Sequence, residues 1–455
     1  MKSIFKKAGL VLCSVLLASS FAGCMQNHGD VSLDPNEINI NLPEDTSGEL
    51  TVAYYGKEEY RILEAFVESF NKKYPNIKVK PYEIVSDAYY GELSTLAAAG
   101  MMPDVFWHNP VYTPDMISKK IILDVTPYWE KENLKLDGYV ESVFSMCRFE
   151  DSVYCVPRDY NQVVTYINTD LFAKAGVEIP EDGWTWDDLL ATCEALTQKL
   201  NAKGDTYGKG KYIMEMDIGW DSLFYPILKS FGVEITNEDQ TDVSLDVEAT
   251  TAAMDLVKNL VDRGYLAPSN AINVDGSFYA GQSAIYFHSR PRVSALSDPE
   301  VFSGNWDVVS FPLIMDNGTP KVGTGTSGYA IYSRCKNTDI AWAFLKHVIS
   351  VEGQEAYSAT GACIPLILEM LDDPDATWRK STPDINNDAY VYNLKYEQYT
   401  DYLIEMNFYA AGQTTSALTE MFKNYTSTAN GRTAAEIIEF AGDKIYTALN
   451  DDYYN

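Results

Sequence analysis

The chain is short of the residues and motifs on which metal and nucleotide chemistry depend. Its 455 residues include 4 scattered histidines and 7 cysteines, none in a CxxC pair or at zinc-ligand spacing. It contains no GxSxG, GxxxxGK[ST] or HExxH motif. His108 and His288 each follow a predicted strand, but neither has a third metal ligand nearby in the sequence. We therefore predict no metal and no cofactor.

Basic residues are also few compared with acidic ones. Lys and Arg number 35 against 65 Asp and Glu, which gives a formal net charge of -30. No Lys- or Arg-rich run occurs beyond the first seven residues, so the field of the protein repels phosphate backbones and anionic headgroups. Nucleic acid and acidic substrates are excluded as preferred partners. The hydrophobic fraction of 46% is typical of a folded chain, and the length suffices for two or three domains.

Long apolar stretches are absent as well, since no run reaches the ~18 residues that a membrane-spanning helix requires. A shorter apolar stretch over residues 8–22 follows three lysines, the pattern of a secretory signal. Small residues then precede Cys24, which resembles the lipobox of bacterial lipoproteins, although Phe21 stands where leucine is usual. We predict a lipoprotein signal peptide over residues 1–24 and lipid attachment at Cys24 as the only membrane contact. An ordinary signal peptide with a chance cysteine is the alternative.

The segment after the signal is acidic. Without the three lysines of the signal the chain has 32 basic and 65 acidic residues, a net charge of -33. Residues 25–48 carry five acids, no lysine or arginine, and no helical or strand periodicity. We predict that this segment is a flexible spacer that holds the folded part away from the membrane.

Two cysteines flank a predicted hairpin. Cys147 and Cys155 lie on either side of residues 148–154, which are expected to turn near Glu150 and Asp151. The two sulfurs could face each other across the strands and form a disulfide. Two buried free thiols are the alternative.

Beyond the spacer, short β-rich runs alternate with amphipathic helices, the pattern of an α/β fold with a largely parallel sheet. Residues 50–55 predict a strand, and the apolar stripe of Ile62, Phe66 and Phe70 predicts the helix that follows it.

Several blocks of sequence follow one another along the chain beyond the spacer. They are Phe70-Asn71-Lys72-Lys73-Tyr74-Pro75, Pro103-Asp104-Val105-Phe106, Val153-Tyr154-Cys155-Val156-Pro157, Tyr166-Ile167-Asn168-Thr169-Asp170-Leu171-Phe172, Trp184-Thr185-Trp186-Asp187-Asp188-Leu189, Phe278-Tyr279-Ala280-Gly281-Gln282-Ser283-Ala284, Ala341-Trp342-Ala343-Phe344-Leu345-Lys346 and Glu352-Gly353-Gln354. Their order resembles the extracellular solute-binding proteins of ABC importers, specifically the carbohydrate-binding group that includes maltose-binding protein. No single block is decisive, but their succession is.

The resemblance implies a two-lobed α/β fold of the periplasmic-binding-protein type (type II), with hinge crossings that join the lobes. Ligand would be trapped between the lobes when they close. The family's topology places the N-terminal lobe at residues 49–159 and 326–372, and the C-terminal lobe at residues 160–325 and 373–455.

The same topology implies three crossings, near residues 157–162, 323–328 and 372–384. The second contains Gly323-Thr324-Gly325-Thr326-Ser327-Gly328, which spells GxGxxG. A dinucleotide site would need these glycines to open a helix, whereas residues 329–332 predict a strand. We therefore interpret the motif as a flexible crossing between the lobes.

The resemblance also implies where ligand binds, because the family brings strand ends to the cleft. The candidate positions are Tyr55, His108, Asn109, Arg158, Asp159, Trp220, Asp221, Ser289, Arg290, Ser327, Gly328 and Tyr329. Asp159 would accept hydrogen bonds from paired sugar hydroxyls, and Arg290 would donate them. Trp220 or Tyr55 would supply a stacking face. Arg158 has the alternative of pairing with an acid nearby.

The predicted function is that of the lipid-anchored binding component of a bacterial ABC importer. It would act as a monomer on the extracytoplasmic face of the cell membrane, capture a sugar or oligosaccharide without catalysis, and deliver it to permease subunits. The 32 tyrosines and 8 tryptophans suit sugars, whose C–H faces pack on aromatic rings. Two alternatives stay open: a secreted glycoside hydrolase, since 65 acids guarantee carboxylate pairs, and a binding protein for a non-sugar solute.

Overall fold

The computed structural model describes residues 33–85, 88–204, 210–271, 276–315, 319–362, 364–382 and 384–451. The predicted signal peptide, Cys24, Cys363 and the first eight residues of the predicted spacer lie outside the described residues.

The strands belong to two main sheets, a small linking sheet and a hairpin. In chain order they are β1 (Gly48–Tyr54), β2 (Ile77–Glu83), β3 (Val105–His108), β4 (Arg148–Phe149), β5 (Ser152–Val153), β6 (Cys155–Pro157), β7 (Asn161–Gln162), β8 (Val164–Asn168), β9 (Met214–Glu215), β10 (Ile285–His288), β11 (Trp306–Ser310), β12 (Val322–Gly325), β13 (Gly328–Ile331) and β14 (Glu397–Gln398).

The helices cover the faces of the two main sheets. In chain order they are α1 (Gly56–Lys73), α2 (Tyr89–Ala99), α3 (Thr113–Ser118), α4 (Thr126–Glu132), α5 (Glu141–Ser145), α6 (Thr169–Ala175), α7 (Trp186–Leu200), α8 (Asp221–Ser230), α9 (Val247–Asp262), α10 (Arg292–Leu296), α11 (Thr338–Val348), α12 (Val351–Ser358), α13 (Leu368–Asp372), α14 (Thr377–Lys380), α15 (Ala389–Tyr392), α16 (Tyr402–Glu405), α17 (Phe408–Thr426) and α18 (Ala434–Leu449). In the described ranges, none of them combines the length and the apolarity needed to cross a bilayer.

Each main sheet forms the centre of one lobe. The first has the order β2-β1-β3-β13-β6, with β1 parallel to β2 and β3, and β13 antiparallel to β3 and β6. The second has the order β11-β8-β10-β9. In the chain, β13 follows all four strands of the second sheet but pairs within the first sheet. The first lobe is therefore built from two separate stretches of chain. This arrangement confirms the predicted two-lobed α/β fold.

Helix α1 has the buried stripe that the sequence predicts. Ile62, Phe66 and Phe70 are all buried against the first sheet. The helix begins directly after Tyr55, so both Tyr55 and Glu59 in its first turn lie at the carboxyl end of β1. This is the edge of a parallel sheet where α/β proteins place ligands.

The small linking sheet has the order β14-β12-β7. In the chain, β7 lies between β6 of the first sheet and β8 of the second, and β12 lies between β11 and β13. Both strands therefore carry the chain from one lobe to the other. Its third strand, β14, follows residues 372–384, near which the third crossing is predicted.

The chain around that predicted crossing contacts both lobes in turn. The hydroxyl of Thr377 donates to the carboxylate of Glu355 in α12 (2.7 Å), and the backbone N–H of Asn386 donates to Asp307 in β11 (2.7 Å). The transition thus falls between Thr377 and Asn386. The residue-level boundaries of the lobes stay a prediction.

The hairpin that the sequence predicts is present. Arg148 pairs with Val153 across its strands, and Glu150 adopts a left-handed conformation (φ 53°) at the turn. Cys147 and Cys155 flank it as buried free thiols. Of the two alternatives for these cysteines, the structure has the free thiols.

The predicted flexible spacer needs a correction over its described part. Residues 33–47 run along the first lobe, where Ile38 is buried and Lys131 donates to the backbone carbonyl of Ile38 (2.7 Å). The side chains that hold this segment come from helices elsewhere in the chain and bond to its backbone. Such contacts leave no periodicity in the segment's own sequence, so they cannot be predicted from it.

Candidate ligand-binding cleft

Asp159 lies where the first and second crossings meet, and it is only 4% exposed. Its carboxylate accepts hydrogen bonds from the backbone N–H of Ser327 (2.9 Å) and from the hydroxyl of Tyr357 (3.0 Å). The hydroxyl of Thr326 donates to the backbone carbonyl of Asp159 (2.6 Å). Because protein donors occupy much of its hydrogen-bonding capacity, Asp159 ties the two crossings together and has little left for a ligand.

Arg158 forms a buried ion pair with Glu59. Its Nη1 and Nη2 atoms lie 2.5 Å and 2.8 Å from the two carboxylate oxygens of Glu59. Its backbone N–H donates to the carbonyl of Ser327 (2.9 Å). Local pairing with an acid, the alternative stated for Arg158, is therefore what the structure has. Glu59 is not among the predicted site residues, although its position four residues after Tyr55 is an available signal.

Gly328 and Tyr329 shape the second crossing from inside. A Cβ atom on Gly328 would lie 2.0 Å from the backbone oxygen of Val156, so only glycine lets β13 pair with β6 at this point. The ring of Tyr329 is 1% exposed and packs edge-on against Phe66 at 6.1 Å. We therefore assign both residues to the crossing and not to the open ligand surface.

Aromatic rings form the first lobe's side of the candidate cleft. Tyr55 is 38% exposed, and its ring centroid lies 4.8 Å from that of Trp107 and 5.5 Å from that of Tyr89. Burial, followed by the carboxylate of Glu59, raises the pKa of Tyr55. Its hydroxyl therefore stays protonated near neutral pH and can donate to a ligand.

His108 does not line this surface, which corrects the sequence prediction. It is fully buried, with Nε2 2.9 Å from the hydroxyl of Thr113 and its ring 5.6 Å from Phe106. Side chains alternate along a strand, so His108 and Trp107 point to opposite sides of β3. Trp107 is the residue of β3 that faces Tyr55.

Asn109 and Ser289 use some of their polar groups locally. The side-chain oxygen of Asn109 accepts from the backbone N–H of Val111 (3.2 Å). The backbone N–H of Ser289 donates to Nδ1 of His288 (2.8 Å), and its carbonyl accepts from the hydroxyl of Tyr166 (3.0 Å). The amide nitrogen of Asn109 and the hydroxyl of Ser289 remain candidate ligand contacts.

A second aromatic surface lies on the other lobe. Trp220, just before α8, stacks on His288 at the end of β10, with ring centroids 4.5 Å apart and planes 23° from parallel. Burial, with a smaller effect of the Arg292 cation, lowers the pKa of His288 to about 3, so the ring is neutral. Beside Trp220, Asp221 accepts from the backbone N–H of Ser222 (2.8 Å), and burial raises the pKa of Asp221.

Arg290 is a second correction, because its guanidinium is buried in the protein. It donates to the side-chain oxygen of Asn387 (3.0 Å), the carbonyl of Trp378 (3.1 Å) and the hydroxyl of Thr382 (3.1 Å). The rings of Trp378 and Tyr390 lie on its faces at 5.1 Å and 4.9 Å. Arg290 thus fixes the third crossing to the second lobe.

A cavity of about 400 Å³ opens beside β9, and the ring of Tyr286 in its wall lies 5.7 Å from that of His288. Asp217 in its wall precedes Trp220 by three residues, and Tyr286 in its wall precedes His288 by two. Further polar groups line it: Glu215, Gln282 and Lys423. These residues are not among the predicted site residues, because β9 spans only two residues and its sequence shows no strand periodicity.

The buried histidines predict a loss of stability below pH 6.5. Burial lowers the pKa of His108 to about 3 and that of His347 to about 4, as it does for His288, whereas an unfolded histidine has a pKa of about 6.5. Between these values the unfolded chain binds protons that the folded chain does not. The stabilisation is therefore complete above pH 6.5 and is lost as the pH falls towards the folded-state values.

For His108 alone this linkage corresponds to about 2 kcal/mol between pH 7 and pH 5. Denaturant titrations at the two pH values, on the native protein and on the His108→Gln variant, measure it. We expect the free energy of unfolding of the variant to depend less on pH by this amount. The same pH dependence in both proteins would contradict the burial of a neutral His108.

The structure has two lobes joined by crossing strands, and aromatic and polar side chains lie at the strand ends beside these crossings. This is the architecture of a two-lobed binding protein. In the part of the chain that the structure describes, no three His, Cys, Asp or Glu side chains are placed to share a metal ion. The family model of the bacterial extracellular solute-binding proteins matches residues 56–355. The chain belongs to this family.

Two relatives are also named as binding proteins. A protein of Brucella abortus (strain 2308) named as a binding protein is 24% identical over 324 residues, which cover 70% of this chain and 75% of that one. A protein of Escherichia coli (strain K12) named as an ABC transporter periplasmic-binding protein is 22% identical over 300 residues, or 65% of each chain.

Solved structures share the fold at low sequence identity. An ABC substrate-binding protein from Listeria monocytogenes in complex with cycloalternan has a TM-score of 0.70 at 21% identity, covering 89% of this chain and 99% of that one. The cyclic alpha-maltosyl-1,6-maltose binding protein of Arthrobacter globiformis has a TM-score of 0.72 at 16% identity, covering 89% and 100%. UgpB of Mycobacterium tuberculosis in complex with glycerophosphocholine has a TM-score of 0.68 at 17% identity, covering 90% and 100%. These likenesses confirm the two-lobed fold.

Proposed function

We propose that this protein is the lipid-anchored, non-catalytic binding component of an ABC importer and that its ligand is a sugar or oligosaccharide. The observation that carries the ligand class is the pair of aromatic surfaces, Tyr55 with Trp107 on the first lobe and Trp220 with His288 on the second. Closure of the lobes would bring each surface against one side of a sugar chain. The sugar ligands of the Listeria and Arthrobacter proteins support the same class.

The polar groups beside these surfaces suit hydroxyl-rich ligands. Asp217 and Gln282 line the cavity beside β9, and carboxylates and amides accept or donate hydrogen bonds to sugar hydroxyls. The carboxylate of Glu215 in the same wall already accepts from Gly276, Ser277 and Phe278. The hydroxyl of Tyr55 is a donor on the opposite lobe. A ligand of this kind needs several such groups in fixed positions and no strong charge.

The Trp220→Ala variant tests the second aromatic surface. Loss of the stacking face should weaken sugar binding by ~1 to 3 kcal/mol while leaving the unliganded fold intact. Calorimetric titration with a panel of linear and cyclic α-glucans measures the affinity. The control is Tyr446→Ala, which removes a ring that is 50% exposed on α18, a helix that packs on α17 and α9. Equal affinity in native protein and Trp220→Ala would remove Trp220 from the site.

The glycoside hydrolase alternative predicts turnover with a pH profile set by two carboxylates. Glu59 and Asp159, two carboxylates beside the crossings, both contact the guanidinium of Arg158, and Asp159 also accepts from the hydroxyl of Tyr357. These partners within the protein occupy the carboxylates, so the two residues are a poor catalytic dyad. Recovery of chemically intact glucan after prolonged incubation would support binding; hydrolysed glucan would support the hydrolase.

The non-sugar alternative has its own support in the fold, since the Mycobacterium neighbour holds glycerophosphocholine. A thermal-shift screen therefore includes glycerophosphocholine and amino acids beside the glucans. A ligand that binds the folded state raises the melting temperature by mass action. A shift with glycerophosphocholine and none with any glucan would overturn the sugar assignment.

The anchor is tested by replacing Cys24 with alanine. One diacylated cysteine would supply the whole membrane attachment, so the Cys24→Ala variant should be recovered in the soluble fraction of cells. Membrane fractionation with immunodetection measures this, and Cys193→Ala, which removes a buried thiol of α7, is the matched control. If the Cys24→Ala variant stayed with the membrane, the lipoprotein assignment would be wrong.

We further propose that the closed, liganded monomer is the form that a membrane permease recognises. Delivery then depends on both lobes presenting their surfaces at the closed spacing. A variant that binds ligand but cannot close should fail in uptake.

A further inference from the structure

Residues 33–47, which we call the strap, are held on the first lobe by hydrogen bonds to their backbone. Nζ of Lys131 donates to the carbonyls of Pro35 (3.0 Å) and Ile38 (2.7 Å). Nζ of Lys346 donates to the carbonyl of Ile40 (3.1 Å). These two lysines come from α4 and α11, which lie side by side on the surface of the lobe.

A further polar contact and an apolar row complete the attachment. The backbone N–H of Asn39 donates to the carboxylate of Asp339 (2.9 Å), which also accepts from the hydroxyl of Tyr128 (2.5 Å). Ile38 is 6% exposed and belongs to the first lobe's core. Three more apolar side chains of the strap pack against that core: Leu33, Ile40 and Leu42.

We propose that the strap is an integral part of the first lobe and that it makes the surface around α4 and α11 the membrane-proximal face of the anchored protein. The orientation rests on the lipid anchor at Cys24 stated under the proposed function; the docking of the strap does not. The partner of this face is the bilayer to which the chain is tethered.

This inference rests on the length of chain between the lipid anchor and the folded part of the protein. Twenty-four residue steps separate Cys24 from Gly48, and a free spacer of that length reaches at most about 86 Å. With the strap docked, nine steps separate Cys24 from Leu33, and they reach at most about 32 Å. The point where the strap begins can then never lie further from the membrane than the shorter distance, whereas the second lobe is held only through the first lobe and can lie further away.

Hydrogen exchange tests the docking in the Cys24→Ala chain, so the result is independent of the anchor. The amide of Asn39, which donates to Asp339, should exchange at least about tenfold more slowly in this chain than in the same chain with Ile38→Ser and Lys131→Met added. Lys135→Met is the control, because Nζ of Lys135 contacts Asn133 and not the strap. Exchange that is equally fast with and without the strap substitutions would overturn the proposal.

Energy transfer tests the orientation in the lipidated chain on phosphatidylethanolamine and phosphatidylglycerol vesicles. A donor dye is placed on Glu130→Cys beside the strap or on Asp187→Cys on the second lobe, both exposed positions, with an acceptor on the lipids. Protein without an added cysteine measures background labelling. We expect stronger transfer from position 130, reduced by Ile38→Ser with Lys131→Met. Equal transfer from both positions would overturn the orientation.

The two measurements separate failure of this inference from failure of the proposed function. If the chain does not float with the vesicles, the anchor is wrong and the orientation falls with it. Slow exchange of the strap amides would still establish docking. If the chain floats and the strap amides exchange quickly, the anchor stands and the strap is refuted.

Discussion

The Arg158→Ala variant is expected to lose about 3 to 5 kcal/mol of the free energy of unfolding. Arg158 is 3% exposed, and its bidentate partner Glu59 has a side chain 12% exposed. Removing the guanidinium leaves the carboxylates of Glu59 and Asp159 close together in a poorly solvated place. The cost of an unpaired buried charge then exceeds what the pair itself contributed.

The matched control is Arg61→Ala, two residues after Glu59 on α1. Arg61 pairs with Glu58 at 3.2 Å and also donates to the carbonyl of Thr360 (2.7 Å), but both side chains of the pair are about half exposed, at 53% and 47%. Exposed pairs of this kind contribute about 0 to 1 kcal/mol. Chemical denaturation of the two variants measures the contrast. A loss of under 1 kcal/mol in Arg158→Ala would show that the pair is solvated and does not hold the crossing.

The same substitution should also affect ligand binding, since Arg158 links the first lobe to both crossings. Its guanidinium contacts Glu59 in α1, and its backbone N–H contacts Ser327 in the second crossing. The pair therefore holds both crossings against the first lobe. Binding in Arg158→Ala should weaken even though we do not place the guanidinium against the ligand.

The local elements could be predicted from the sequence because their signals are local. The stripe of Ile62, Phe66 and Phe70 gave α1, and Thr185 with Asp188 forms the capping box that begins α7. In each case the residues that determine the element lie within a turn or two of it. Periodicity and capping therefore sufficed.

The side-chain roles at the cleft were harder to predict because they depend on one-residue register and on distant partners. The sequence predicts His108 in the cleft, whereas the structure places Trp107 there. Neighbouring side chains on a strand point to opposite faces, so an error of one position puts the wrong residue in the cleft. Arg290 was predicted as a ligand donor because its partners, about 90 to 100 residues further on, are invisible locally. The strap is held by Lys131 and Lys346 in the same long-range way.

The Gly323→Ala variant is expected to be destabilised by about 3 kcal/mol, the upper part of the usual range for overpacking. A Cβ atom at position 323 would lie 1.9 Å from the backbone oxygen of Ser222 and 3.0 Å from a methyl group of Val163. A backbone oxygen cannot rotate away as a side chain can. Either β12 or the first turn of α8 must move.

That movement would reach the ligand surface, because Ser222 directly follows Trp220 and Asp221. Gly323→Ala should therefore bind α-glucan at least about tenfold more weakly, a loss of about 1.4 kcal/mol or more. Gly325→Ala is a control in the same strand: nothing lies within 4 Å of a Cβ atom there. It should change the free energy of unfolding little, or raise it by about 0.4 to 1 kcal/mol because alanine lowers the conformational entropy of the unfolded chain.

Small-angle scattering connects this pair of variants to closure of the lobes. In the native protein and in Gly325→Ala, saturating glucan should reduce the radius of gyration, because ligand selects the closed form by its differential affinity. In Gly323→Ala the shifted strand should impair that change even at glucan concentrations that restore binding. If Gly323→Ala contracts as the native protein does and retains its affinity, then β12 does not couple the crossing to Trp220, and closure must pivot elsewhere.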